Sequence, residues 1–236
     1  AFNEEESIGE LLGEVKSSVS GMDILVISDG SVDGTVDVAM QNGAGVLDIP
    51  CNLGVGGAVQ AGFRYACENN YELLARCDGD GQHPPSEIPK LVKALEDNPE
   101  VDLVVGSRFL GESQYKTSFV RNCGIYLLSS ALSMMCRRKV TDPTSGLQAM
   151  NRGLLKLFSN SYPADYPEPE ALALMRRQGY DFIEVPAEFR KRKKGKSSIQ
   201  GWGTTYYMLK VFLALLVDRA RPVDHRFSKY GAGAVK

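Results

Sequence analysis

The sequence predicts an α/β protein: a mixed, mainly parallel β-sheet with helices on both faces, followed by an amphipathic C-terminal helix. Three observations predict it. Over residues 1–110, apolar residues at helical spacing alternate with short apolar runs of strand length, the rhythm of a parallel sheet covered by helices. Runs such as Ile24-Leu25-Val26-Ile27 are continuously apolar and rich in β-branched residues, which suits strands buried on both faces. Beyond residue 110 the rhythm changes to a long helical stretch, a turn-rich segment and two further apolar runs, so the later strands extend the sheet in mixed orientation.

The elements follow in order. Ile8, Leu11, Leu12, Val15 and Val19 recur at helical spacing, with Asn3 as the expected N-cap and Glu4, Glu5 and Glu6 in the first turn, where negative charge complements the helix dipole. A strand at 24–27 is followed by a helix over 34–42, a strand over 45–49, a helix over 56–69 and a strand over 71–77. Pro85 and Ser86 precede a helix reaching Glu96, and Val101 to Gly106 reads as a strand. A long helix is expected over about 119–137, strands over 146–150 and 181–189, and an amphipathic helix from about 204 to 220. The expected division is a main domain over 1–200 and a helix with its tail over 201–236.

Composition narrows the function classes. A chain of 236 residues can bury a sizeable core. Its formal net charge of −2 speaks against a nucleic-acid partner. Five cysteines with no CxxC pair read as reduced, mostly buried thiols, neither a disulfide framework nor a zinc site. The longest apolar run, Val211 to Val217, is far shorter than the roughly 20 residues that span a bilayer.

Three polar clusters sit at expected strand ends, where open parallel sheets bind ligands. They are Asn3-Glu4-Glu5, then Ser28-Asp29-Gly30-Ser31-Val32-Asp33-Gly34-Thr35, then Asp78-Gly79-Asp80-Gly81-Gln82-His83. Asp78 and Asp80 offer the hard oxygens that Mg²⁺ or Mn²⁺ takes alongside substrate phosphates; a polar turn is the plainer reading of the same residues. His83 is either a ligand or a residue that shapes the loop. In the second cluster Asp29 can accept a hydrogen bond from a nucleobase, whereas an Asx-turn with a helix cap at Asp33 needs no ligand. Asn52-Leu53-Gly54-Val55-Gly56-Gly57-Ala58 is a Gly-rich entry to a helix, serving either an anion or tight packing.

These motifs, continued by Gly106-Ser107-Arg108, Thr141-Asp142-Pro143-Thr144-Ser145-Gly146 and Phe189 to Ser197 with Arg192, Gly195 and Lys196, resemble glycosyltransferase family 2 over residues 1 to about 200. Within the family the chain is similar to the dolichyl-phosphate mannosyltransferase and polyprenyl-phosphate glycosyltransferase branch. The resemblance implies a Rossmann-like GT-A domain, a UDP- or GDP-linked sugar donor, Mg²⁺ or Mn²⁺, inversion at the anomeric carbon, and a polyprenyl-phosphate or membrane-associated glycan as acceptor. By position it assigns Phe2, Glu4, Asp29 and Asp78 to the nucleotide-sugar, with Asp29 reading the base. Asp80, helped by Gln82 and with Asp78 beside it, falls at the metal. Arg108, Arg192 and Lys196 fall around the donor diphosphate or acceptor phosphate. Three departures stand out: Ser28 replaces one carboxylate beside the base, Gln148 stands where an arginine is common, and the family's first strand, central in its sheet, is missing before Ala1.

An acceptor phosphate is already anionic near neutral pH, so its transfer needs no strong base. A sugar hydroxyl needs a carboxylate, with Asp142 the candidate by family position and Glu170 the second; Asp142 also reads as an Asp-Pro turn initiator. Arg190 to Lys196 carries six cations in seven residues, a solvated loop or one that closes over phosphates or meets an anionic membrane. The helix over 204–220 serves a core or homodimer interface, or lies at a membrane surface. The resulting expectation is a cytoplasmic enzyme, peripheral at the inner face of the cell membrane or joined to a membrane-protein partner. A sugar-phosphate nucleotidyltransferase and a non-catalytic nucleotide-sugar-binding subunit are the alternatives; the former should carry a basic Gly-rich loop where Asn3-Glu4-Glu5-Glu6 is acidic.

Overall fold

In the computed structural model, which describes residues 1–111, 119–190 and 203–229, the strand Leu103–Ser107 is buried at all five positions. Side chains alternate across a strand, so Leu103 and Val105 enter one hydrophobic core and Val104 another. A strand buried on both faces needs helices on both faces. One layer holds α1 (Glu5–Ser18), α2 (Thr35–Gln41) and α4 (Ile88–Asp97), whose Leu12, Ala39 and Leu91 fill the second core. The other holds α3 (Gly54–Glu68), α5 (Phe119–Cys136), α6 (Arg152–Asn160), α7 (Pro167–Arg177) and α8 (Gly203–Ala220), contributing Phe63, Leu128, Phe158, Met175 and Val211.

The strands are β1 (Leu25–Asp29), β2 (Gly45–Ile49), β3 (Leu73–Arg76), β4 (Leu103–Ser107), β5 (Gln148–Asn151) and β6 (Phe182–Pro186). β1 and β2 pair in parallel, Leu25 opposite Gly45. The remaining four form a second sheet in the order β3-β5-β4-β6. β4 and β6 are parallel, while β5 is antiparallel to both β3 and β4; β5 is thus the reversed strand that makes this sheet mixed. Ala1 continues the ladder on one edge of β1, its amine donating to the Ile27 carbonyl at 2.7 Å and its carbonyl accepting from the Asp29 N–H at 2.9 Å.

Most elements fall where the sequence placed them, with ends shifted by a few residues. Two helices, α6 and α7, were not foreseen. Asn3 is not an N-cap: its φ is +53° and its side-chain oxygen accepts from Val32 N–H, so Glu4 takes the cap position. Asp33 makes the Asx-turn, accepting from Thr35 N–H at 3.0 Å. Among the cysteines with described side chains, Cys136 is buried and Cys51 is exposed, against the expectation of buried thiols. Among the described residues, no helix is long and apolar enough to cross a membrane.

α8 is anchored through Val211 and Leu215. The chain then returns to the sheet, where Lys229 donates from its backbone to the Gln178 carbonyl at 3.0 Å and from Nζ to buried Asp102 at 2.6 Å.

Candidate functional site

β1 ends at Asp29, a buried carboxylate whose Oδ1 accepts from Leu53 N–H at 2.7 Å. The turn that follows is drawn against the 51–53 loop. Gly30 has φ +72°, and a Cβ there would lie 2.7 Å from Asn52 N and 2.8 Å from Cys51 C, so only glycine fits without displacement. The segment 2–5 crosses in front of this turn. Glu4 donates from its backbone to Thr35 Oγ1 at 2.8 Å and accepts from Ser7 Oγ at 2.7 Å; the Glu5 carboxylate accepts from Gly34 N–H. Phe2 is exposed.

β3 delivers the second part. Its last residue, Arg76, is 8 % exposed and forks between carboxylates, with NH2 at 2.8 Å from Glu168 Oε1 and 3.3 Å from Asp78 Oδ1. In the loop beyond, Asp78 N–H donates to His83 Nδ1 at 3.0 Å, and Gln82 N–H donates to Asp80 Oδ1 at 3.0 Å. These bonds curl Asp78 to His83 into a compact turn. Ala1 touches it, since a Cβ on Gly79 would lie 3.2 Å from that of Ala1. Packed surroundings work to raise the Asp78 pKa, but His83 and Arg76 more than offset this and hold the carboxyl below the usual range. Burial lowers the His83 pKa against the pull of Asp78 and Asp80. Through Nδ1 the ring shapes the loop. Burial, with Asp78 beside it, pushes the Cys77 thiol up to about 12.

The third part joins the end of β4 to the 141–146 loop. Arg108 binds Asp142 bidentately, Nε to Oδ2 at 2.7 Å and NH2 to Oδ1 at 2.6 Å, and its backbone N–H adds a third bond at 2.9 Å. Asp142 is 1 % exposed. Glu184 on β6 accepts from the N–H groups of Thr141 and Asp142 at 2.7 and 2.9 Å; burial raises its pKa against these bonds. The guanidinium of Arg108 also lies 5.2 Å from the Phe189 ring centroid, and Phe189 meets His83 edge-on at 5.2 Å. Arg190 N–H donates to the Gln82 carbonyl at 2.9 Å. A strap at 189–190 thereby ties the Asp78–His83 turn to the Arg108–Asp142 pair.

The structure therefore brings Glu4, Asp29, Asp78, Asp80 and Gln82 to one end of the strands, with Asp142 and Arg108 joined beside them. Arg108 is directed at Asp142, and Asp142 at Arg108 and its own loop. Glu170 lies half-buried in the first turn of α7. The carboxylate of that turn bonded to the Arg76–Asp78 pair is Glu168, which the sequence reading missed; the acidic first turn after Pro167 was a helix-start signal that could have drawn attention to it. Gln148 is buried and donates to the Ser145 carbonyl at 2.9 Å. Arg192 and Lys196 lie outside the described residues.

Among the described residues, no group of three or more His, Cys, Asp or Glu side chains is arranged to hold a metal. Asp78 and Asp80 still fit a hard divalent cation of the kind bound by one or two carboxylates, with phosphate oxygens and water completing the shell.

Comparison with known proteins gives a consistent result. The sequence profile of Glycosyl transferase family 2 matches residues 1–158. An undecaprenyl-phosphate mannosyltransferase of Micrococcus luteus is 32% identical, over 85% of this chain and 85% of its own. A polyprenol monophosphomannose synthase of Mycolicibacterium smegmatis is 28% identical, over 94% of this chain and 88% of its own. In fold, the chain is similar to glucosyl-3-phosphoglycerate synthase of Mycobacterium tuberculosis, solved with Mn²⁺, UDP and glucosyl-3-phosphoglycerate. The TM-score is 0.67 at 20% identity, covering 95% of this chain and 79% of that one.

Proposed function

Since the chain belongs to glycosyl transferase family 2, we propose that it moves a hexose from a UDP- or GDP-linked donor to a polyprenyl phosphate, with inversion and with Mg²⁺ or Mn²⁺. The observation that carries the reading is the meeting of Asp29, the Asp78–His83 turn and the 141–146 loop at one end of the strands, in a chain with relatives named undecaprenyl-phosphate mannosyltransferase and polyprenol monophosphomannose synthase. Asp29 and Glu4 bind the nucleoside, Asp78 the ribose and diphosphate, and Asp80 with Gln82 the cation. When bound, a divalent cation neutralises the diphosphate and acts as a Lewis acid on the leaving group.

The buried Arg108–Asp142 pair favours an acceptor that needs no strong base. Asp142 is already committed to three donors on Arg108, and an attacking phosphate oxygen is anionic at neutral pH. Arg192 and Lys196 are assigned to the phosphates by family position. For a hydroxyl acceptor, Glu170 would have to take the proton.

The acceptor's chemistry also gives a role to an exposed apolar face. Tyr126, Leu127 and Met134 on α5, and Leu213, Leu216 and Val217 on α8, are exposed, with exposed Arg137 and Arg221 just past the helix ends. Apolar side chains edged by cations suit peripheral contact with an anionic bilayer.

The test is transfer from UDP- and GDP-sugars to undecaprenyl or dolichyl phosphate, with the matching free prenols as controls. A lipid-linked sugar formed only with the phosphates is expected. Transfer to a free prenol as readily as to its phosphate, or no product from any donor, contradicts the proposal.

A further inference from the structure

Arg76 closes a strand whose preceding residues are Leu73, Leu74 and Ala75. A guanidinium that is 8 % exposed must be paired where it lies. Its partners come from three places. NH2 is shared between Glu168 Oε1 at 2.8 Å and Asp78 Oδ1 at 3.3 Å, and NH1 reaches Tyr162 Oη at 3.3 Å. Tyr162 is fixed in turn, meeting Phe63 and Phe158 edge-on at 5.0 and 5.1 Å. Asp78 differs from the other partners because 43 % of its side chain is open.

The Gly146 backbone closes over the contact between that carboxylate and Arg76. A Cβ built on Gly146 would lie 2.9 and 3.0 Å from the two Asp78 oxygens and 3.1 Å from Arg76 NH2. The Asp78 carboxylate is thus held against a guanidinium, with the Gly146 backbone packed over their contact.

We propose that Arg76 is a positioning residue, fixed by Glu168 and Tyr162, that holds the Asp78 carboxylate in the one orientation in which it meets the donor nucleotide. The inference rests on the proposed donor site. Arginine suits the task because its planar fork can serve two carboxylates and a hydroxyl at once, which a lysine ammonium on its flexible stem cannot do in fixed geometry. Glu168 offsets the charge that the guanidinium would otherwise bring to the site.

The test is calorimetric binding of UDP and of GDP, each with Mn²⁺, to the full chain and its variants, using whichever nucleotide the wild type binds. Arg76→Met should weaken binding about tenfold, and Arg76→Met/Asp78→Asn should be no weaker than Asp78→Asn alone, because coupled residues are non-additive. Gly146→Ala, which crowds the Arg76–Asp78 contact itself, should weaken binding in the same direction. Binding by Arg76→Met within about twofold of wild type, or additive losses in the double variant, overturns the inference. If Arg76→Met does not fold, Arg76→Lys decides: a loss of several-fold at unchanged melting temperature supports positioning, and wild-type binding overturns it. Asp78→Asn binding like wild type would sink the donor site itself and this inference with it. A loss in Asp78→Asn beside intact Arg76→Met sinks the inference alone.

Discussion

Gly30 and Gly13 are the same residue type under opposite local demands. At Gly30 the backbone has φ +72° and a Cβ would collide with the Cys51–Asn52 backbone, whereas at Gly13, inside α1, a Cβ meets nothing within 4 Å. Gly30→Ala should therefore destabilise the protein by about 1–3 kcal/mol, the usual cost of a strained backbone. Gly13→Ala should stabilise it by roughly 0.5–1 kcal/mol, as expected for relieving a helix interior of glycine. Urea denaturation of both variants measures the contrast; equal effects would mean that the 30–31 turn is not drawn against the 51–53 loop as described. The same turn illustrates what single residues disclose in sequence. Asp29, Asp78 and Asp80 stand out because they lie within a few residues of the end of a strand-like run, next to glycine. Arg76 and Glu168 do not stand out as a pair, because their pairing joins residues 92 positions apart. Arg108 and Asp142 were each singled out, but 34 positions separate them, and that they neutralise one another is a fact of tertiary structure alone.

At the scale of elements, the helices and strands that could be read were those whose apolar residues keep one period. α1 buries Ile8, Leu11, Leu12 and Val15, and β4 is apolar at successive positions because both faces are covered. α6 bunches Leu154, Leu155, Leu157 and Phe158, and α7 is introduced by Pro-Glu-Pro-Glu, so both passed for connecting chain. Their boundary signals were nevertheless present: Asn151 caps α6 by accepting from Leu154 N–H at 3.0 Å, and Pro167 opens α7 ahead of Glu168 and Glu170. α8 divides differently. Its inner face, Val211 and Leu215, belongs to the core, while Leu213, Leu216 and Val217 face outward. If that outer face meets lipid, Leu213→Ser/Leu216→Ser should reduce co-sedimentation with vesicles containing phosphatidylglycerol by several-fold at an unchanged melting temperature. Unchanged sedimentation together with loss of a dimer in light scattering would assign the face to a second copy of the chain instead.

For the whole molecule, helices on both faces leave the strand ends as the place where polar side chains gather, and the chemistry follows from that placement. Asp29 at the end of β1, the Asp78–His83 turn after β3, and the Arg108–Asp142 pair beyond β4 meet there, and the 189–190 strap holds the last two together. The family assignment makes the protein a glycosyltransferase; the proposed donor site lies at the β1 and β3 ends, with the proposed cation at Asp80. The most direct measurement is Mn²⁺-dependent sugar transfer from UDP- and GDP-sugars to a polyprenyl phosphate, comparing wild type, chelator-treated wild type and Asp80→Ala. Loss of transfer by about 10²-fold or more on chelation, restored by added Mn²⁺, and a comparable loss in folded Asp80→Ala are expected if the cation carries the charge of the leaving diphosphate. Transfer that survives chelation and is unaffected by Asp80→Ala would contradict the account.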